Sequence, residues 1–193
     1  MMNKEIEIYC PASQQDWRDW LEVNHQSKQS VWLIYYKKKI DIPSITYEGA
    51  VDEALCFGWI DSTRKNLDQD KFMQYFCRRK PASVWSKVNK ARVERLMAEG
   101  LMKPAGLQSV EKAKQNGSWN ILDEVEEVII PADLMKAFAL NPGAADYFSG
   151  LSRSVRKMIL QWLVLAKRPE TRERRITEIA ELAAQKLKPK QFR

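Results

Sequence analysis

Ser30-Val31-Trp32-Leu33-Ile34-Tyr35-Tyr36 is the segment that most restricts how this chain folds. It is β-branched and aromatic, uncharged, and free of Gly and Pro, which favours a strand. Apolar side chains fall on both sides of its two-residue alternation, so it belongs inside a sheet and not at an edge. Everything else must supply the strands beside it and the layer that covers it.

Three further strands are readable. Glu5-Ile6-Glu7-Ile8-Tyr9 alternates polar and apolar residues up to Pro11. Residues 59–65 and 72–77 flank the polar turn Asn66–Asp70, which makes them a hairpin. Helices sit between the strands. Ser13 caps one that turns Trp17, Trp20 and Leu21 inward, and Thr46 caps another that ends at a left-handed Gly58. Trp85, Val88, Ala91 and Leu96 mark a third, entered near Ser83 and closed by Gly100, and Pro104 opens a fourth that stops at Gly117. Residues 119–130 are acidic and irregular. Beyond them come segments 131–140, 142–148, 152–167 and 170–186, all helical in pattern, with Pro169 between the last two.

The expected fold is therefore α+β: a small four-stranded antiparallel or mixed sheet packed with helices, followed by an all-helical C-terminal segment. The expected division is an α+β domain over 1–118, an acidic linker over 119–130 and the helical segment over 131–193. A chain of 193 residues buries about 70% of its unfolded surface, so it needs no disulfide or metal staple. Cys10, Cys56 and Cys77 are odd in number and widely spaced, which argues against both and fits a reducing compartment. The first residues lack the apolar run of a signal peptide, and no uncharged stretch is long enough to span a bilayer. Cytoplasmic residence is the expectation.

Chemistry is conspicuous mainly by what is missing. His25 is the sole histidine, so no imidazole pair is available for a triad or a metal, and its expected role is a contact at a helix C-terminus. No Gly-rich phosphate loop occurs, and Cys56 lies among apolar neighbours. No catalytic residue, metal ligand or cofactor is assigned on this pattern.

Charge is unevenly placed. The net charge is +7, yet residues 1–130 hold 19 basic and 19 acidic residues while residues 131–193 hold 13 and 6. Two basic stretches stand out, Arg64–Arg95 and Lys167–Arg175. Lys167, Arg168, Arg172, Arg174 and Arg175 form a candidate basic surface, for which weak, non-specific nucleic-acid binding is the expectation. In the first stretch, Trp59 and Asp61 share one strand face, Arg79 and Lys80 end the hairpin, and Ser83, Trp85, Ser86 and Asn89 surround the next helix start. A helix start flanked by arginine and hydroxyls suits an anion. Asp61, Arg79, Ser83, Ser86 and Asn89 are expected to form one hydrogen-bonded cluster beside Trp59 and Trp85, holding a small anionic or peptide ligand. An enzyme using Asp61 as base and Arg79 as clamp is a weaker alternative.

The stretches EALCFGWIDS, RKPASVWSKVN, ERLMAEGLMKPAG and AKRPETRERRI resemble the YdeI/OmdA family of bacteriocin-protection or OmpD-associated proteins, in the same order and spread from Trp17 to about Leu182. The matching positions include Gly58, Trp59, Asp61, Arg79, Lys80, Ser83, Trp85, Ser86, Asn89, Gly106, Lys167, Arg168, Arg172 and Arg175; Cys77-Arg78 departs from a Thr-Pro usual there. The resemblance implies a non-enzymatic bacterial protein without a cofactor, tied by name to antimicrobial-peptide tolerance.

Overall fold

The computed structural model describes residues 6–37 and 42–193. The chain forms two compact units, Met1–Trp119 and Asn120–Arg193.

In the first unit, β1 (Ile8–Tyr9), β2 (Ser30–Tyr36), β3 (Trp59–Asn66) and β4 (Lys71–Arg78) make a sheet of order β1-β2-β4-β3. It is mixed: β1 runs parallel to β2, while β4 is antiparallel to both β2 and β3. The uncharged strand β2 is interior, as its pattern requires. β1 is shorter than the alternation suggests, and Glu5 lies outside the described residues.

One sheet face is covered. Val31, Leu33 and Tyr35 of β2 stand opposite Phe76, Gln74 and Phe72 of β4, and the first three are buried with Phe76 and Trp59. α1 (Gln14–Asn24) and α2 (Tyr47–Cys56) bring Trp17, Trp20, Ala50 and Leu55 onto that face. Tyr9, Trp17 and Trp20 stack with centroids 5.0–6.4 Å apart, each pair adding about 0.5–1.5 kcal/mol beyond its buried area. Ser13 and Thr46 cap these helices through the amides of Asp16 and Gly49.

α3 (Lys87–Ala98) and α4 (Pro104–Gln115) complete the unit. The cap of α3 differs from expectation: Ser86, not Ser83, accepts the Asn89 amide. Residues 79–85 cannot join the helix, because Trp85 is drawn into the core and the Val84 carbonyl serves Arg79.

In the second unit, α6 (Ala132–Ala139), α7 (Ala144–Gly150), α8 (Arg153–Val164) and α9 (Pro169–Ala184) surround Leu134, Phe138, Phe148, Ile159, Leu163 and Ile179. The acidic stretch 119–130, expected as a linker, contains a helix as well, α5 (Asp123–Glu126). Leu122 and Val125 bury one side of it, and Lys157 pairs with Glu126 at 2.5 Å. Its acids are one solvated face of an amphipathic turn, which composition alone cannot distinguish from a linker.

Candidate functional site

Two glycines shape a concavity of the first unit that forms where β3 and the exit of β4 meet the N-terminus of α4. Phe57 is the C-cap of α2, and Gly58 at φ +73° turns the chain straight into β3. The N-terminus of α4 then seats on this corner: the Lys103 amide donates to the Cys56 carbonyl at 3.0 Å. A Cβ on Gly106 would lie 2.2 Å from the Cys56 oxygen, so only glycine permits the approach.

The result is a cavity of about 610 Å³. Gly58 and Trp59 from β3, Arg78, Arg79 and Pro81 from the β4 exit, and His25 and Gln26 after α1 form one side. Ala105, Gln108, Ser109 and Lys112, spaced i, i+3, i+4 and i+7, present one face of α4 on the other. No aspartate or glutamate lines it.

Arg79 dominates the electrostatics. Its amide donates to the Gly58 carbonyl at 2.9 Å, which fixes it at the corner. Its guanidinium lies 3.5 Å over the Trp85 ring, and Nη2 donates to the Val84 carbonyl at 2.5 Å. Nε and Nη1 are buried without a hydrogen-bond partner. Burial pushes its pKa down to about 10, so the group remains charged at neutral pH. Arg78 is used differently: Nε donates to the Lys28 carbonyl at 2.8 Å and Nη2 to the Gln26 carbonyl. It pins the 26–28 loop that borders the cavity. His25 keeps the helix-end contact expected of it, with Nδ1 donating to the Leu21 carbonyl at 2.8 Å.

The sequence-nominated cluster does not form as one network among the described residues. Asp61 accepts from Tyr47 Oη at 2.8 Å and from Gln74 Nε2 at 3.0 Å, further along the covered sheet face. Ser86 and Asn89 are joined as a helix cap. Ser83 closes a turn with the Lys80 carbonyl, and Lys80 is exposed. Trp59 and Trp85 are buried core residues; Trp59 Nε1 donates to the His25 carbonyl at 3.3 Å, so it floors the cavity and holds its rim. Of the nominated residues, Trp59 and Arg79 therefore line the cavity. Gln108, Ser109 and Lys112 were missed; their i, i+1, i+4 spacing behind Pro104 was the available signal.

The basic surface of the second unit is also divided. Arg172 makes a two-pronged pair with Asp133 at 2.6 and 3.0 Å. Arg175 donates to the Trp162 carbonyl and lies 4.6 Å over that ring. Lys167, Arg168 and Arg174 remain exposed. Two of the five expected cations thus hold the unit together, which leaves less for nucleic acid than the sequence count implied.

Residues 9–109, just over half of the chain, match the family described as Domain of unknown function (DUF8412). Residues 127–186 match the family described as Bacteriocin-protection, YdeI or OmpD-Associated, or OmdA. The chain belongs to the DUF8412 family and carries an OmdA domain. The OmdA match takes in AKRPETRERRI, whereas the other three stretches that resemble the same family fall within the DUF8412 match. Apart from Lys112, the whole cavity lies inside the DUF8412 segment. No curated protein and no solved structure matches the chain. Among the described residues, no helix is long and apolar enough to cross a membrane, and no His, Cys, Asp and Glu group is arranged to hold a metal.

Proposed function

We propose that this DUF8412–OmdA protein is a non-enzymatic binding protein of the cytoplasm that contributes to tolerance of bacteriocins or related antimicrobial peptides, with the cavity of the first unit as its ligand site. The carrying observation is the concavity itself, about 610 Å³ of space framed by fixed donors on one side and one helix face on the other. Its size suits a small molecule. Its chemistry suits holding more than reacting: Arg78 and His25 are each committed to backbone carbonyls, and no lining carboxylate is present to act as base. The description of the OmdA family supplies the link to bacteriocin protection. Three cysteines without disulfides support a reducing compartment.

Gln108→Trp tests this reading. Gln108 is exposed on α4 and faces the cavity, so the indole should fill the space and leave the melting temperature close to wild type. Cells carrying this variant should survive a bacteriocin challenge no better than cells lacking the protein. Full protection by Gln108→Trp would remove the cavity as the functional site.

A further inference from the structure

We infer that the ligand of this cavity carries a phosphate monoester, held between Arg79 and Lys112, an inference that rests on reading the cavity as the binding site. Arg79 carries a charge that the chain leaves without a hydrogen-bonded counter-ion. A buried cation is costly unless it is paired, and proteins normally place a carboxylate beside it. Arg79 has a carbonyl on one nitrogen, an indole face beneath it, and two buried nitrogens without partners. Asp61, whose charge acts on it, makes its own hydrogen bonds with Tyr47 and Gln74. The chain therefore supplies the packing for a guanidinium and leaves its counter-charge to be brought in.

The second charge is on α4. Lys112 lines the same cavity, and its ammonium has no hydrogen-bond or ion-pair partner among the described residues. It stands seven residues after Ala105, about 10 Å along the helix. Arg78 adds positive potential at the rim while its Nε and Nη2 are occupied by backbone carbonyls. No acid on the lining offsets these charges. A phosphate monoester carries about −1.5 to −2 charges at pH 7 and three acceptor oxygens, which matches two separated cations better than a carboxylate does. Hydroxyl and amide donors at Ser109 and Gln108 line the same cavity from the α4 face that carries Lys112. The remaining surface at Phe57, Pro81 and Pro104 is apolar and would receive the organic part of the molecule.

The test is calorimetric titration of the full chain with glycerol 3-phosphate and inorganic phosphate, with acetate as the monoanion control. Both phosphates should bind at least tenfold more tightly than acetate. Lys112→Met sits on an exposed helix position, so it should fold normally and weaken phosphate binding tenfold or more. Arg79→Met should abolish it, and Lys136→Met in the second unit should change nothing. Equal affinity for acetate, or unchanged phosphate binding in Lys112→Met, would overturn the inference. So would a single-stranded oligonucleotide that binds through Arg79 and Lys112 more tightly than glycerol 3-phosphate, since that points to nucleic acid. Absence of phosphate binding while Gln108→Trp still abolishes protection overturns the ligand class and leaves the cavity's role standing. Intact protection in Gln108→Trp overturns both.

Discussion

Arg79 and Arg175 are both arginines laid over a tryptophan with a nitrogen on a backbone carbonyl, yet their surroundings differ. Arg175 sits in a helical unit, half-buried, with its charge still served by solvent. Arg79 is carried into a corner between a sheet and a helix N-terminus, where two of its nitrogens lose water and gain nothing. The first is an anchor. The second is a charge waiting for a partner. A basic residue counted in a sequence therefore says little about binding until its compensation is known, because a paired or solvated cation has small net pull on a ligand.

The largest effect that bears on this contrast concerns the wall and not the charge. Gly106→Val places a side chain where the Cys56 carbonyl already stands, with the first added atom at 2.2 Å. Unfolding in denaturant should show a loss of about 3 kcal/mol or more, and phosphate binding should vanish with the corner. Near-normal stability would mean that α4 does not depend on that approach, and the cavity would lose its rigid side.

Next in size is the direct comparison of the two arginines. Arg175→Met should cost about 1–2 kcal/mol, since the Trp162 carbonyl loses a charged donor and the ring loses its cover. Arg79→Met in the ligand-free protein should be neutral or slightly stabilising, because the burial cost of an unpaired guanidinium disappears. Parallel urea melts decide it. A loss at Arg79 as large as that at Arg175 would make Arg79 a structural residue of the Trp85 packing.

The smallest expected effect is at Arg172. Its pair with Asp133 is partly exposed, with side-chain accessibilities of 31% and 42%, so Arg172→Leu should cost no more than about 1 kcal/mol. The Arg172 guanidinium holds the Asp133 carboxyl below its ordinary value. A folded pKa below the unfolded one stabilises at pH above the ordinary aspartate range, and that increment is lost as pH falls through the folded value. Wild type should therefore lose a small increment of stability in acid that Arg172→Leu lacks. Identical acid profiles would show that the pair contributes nothing measurable.

Much of the fold was legible because local chemistry and tertiary need agree. The uncharged β2 pattern demanded an interior place, and the caps at Ser13 and Thr46 stand where hydroxyls meet free amides. The cap at Ser86 was misplaced by three residues. Two serines satisfied the same local rule, and the choice between them was made by Trp85 entering the core. The 119–130 stretch was read from its acids, while Leu122 and Val125 decided its structure.

The candidate site was legible only in part. Trp59 and Arg79 adjoin the hairpin and could be named from local order. Asp61 lies two residues from Trp59 and shares its strand face, but the sheet carries it toward Tyr47 and Gln74 and away from the corner. Lys112 is 33 positions from Arg79 in the sequence, and nothing local relates them.

The strands, most of the helices, the turn glycines and the supply of cations follow from local sequence, because propensity, capping and periodicity act over a few residues. Tertiary structure alone decided which cations were compensated. Compensation depends on what the folded chain brings within a few ångströms of each charge, and the seat of Gly106 against Cys56 brought α4 to Arg79 without bringing an acid with it.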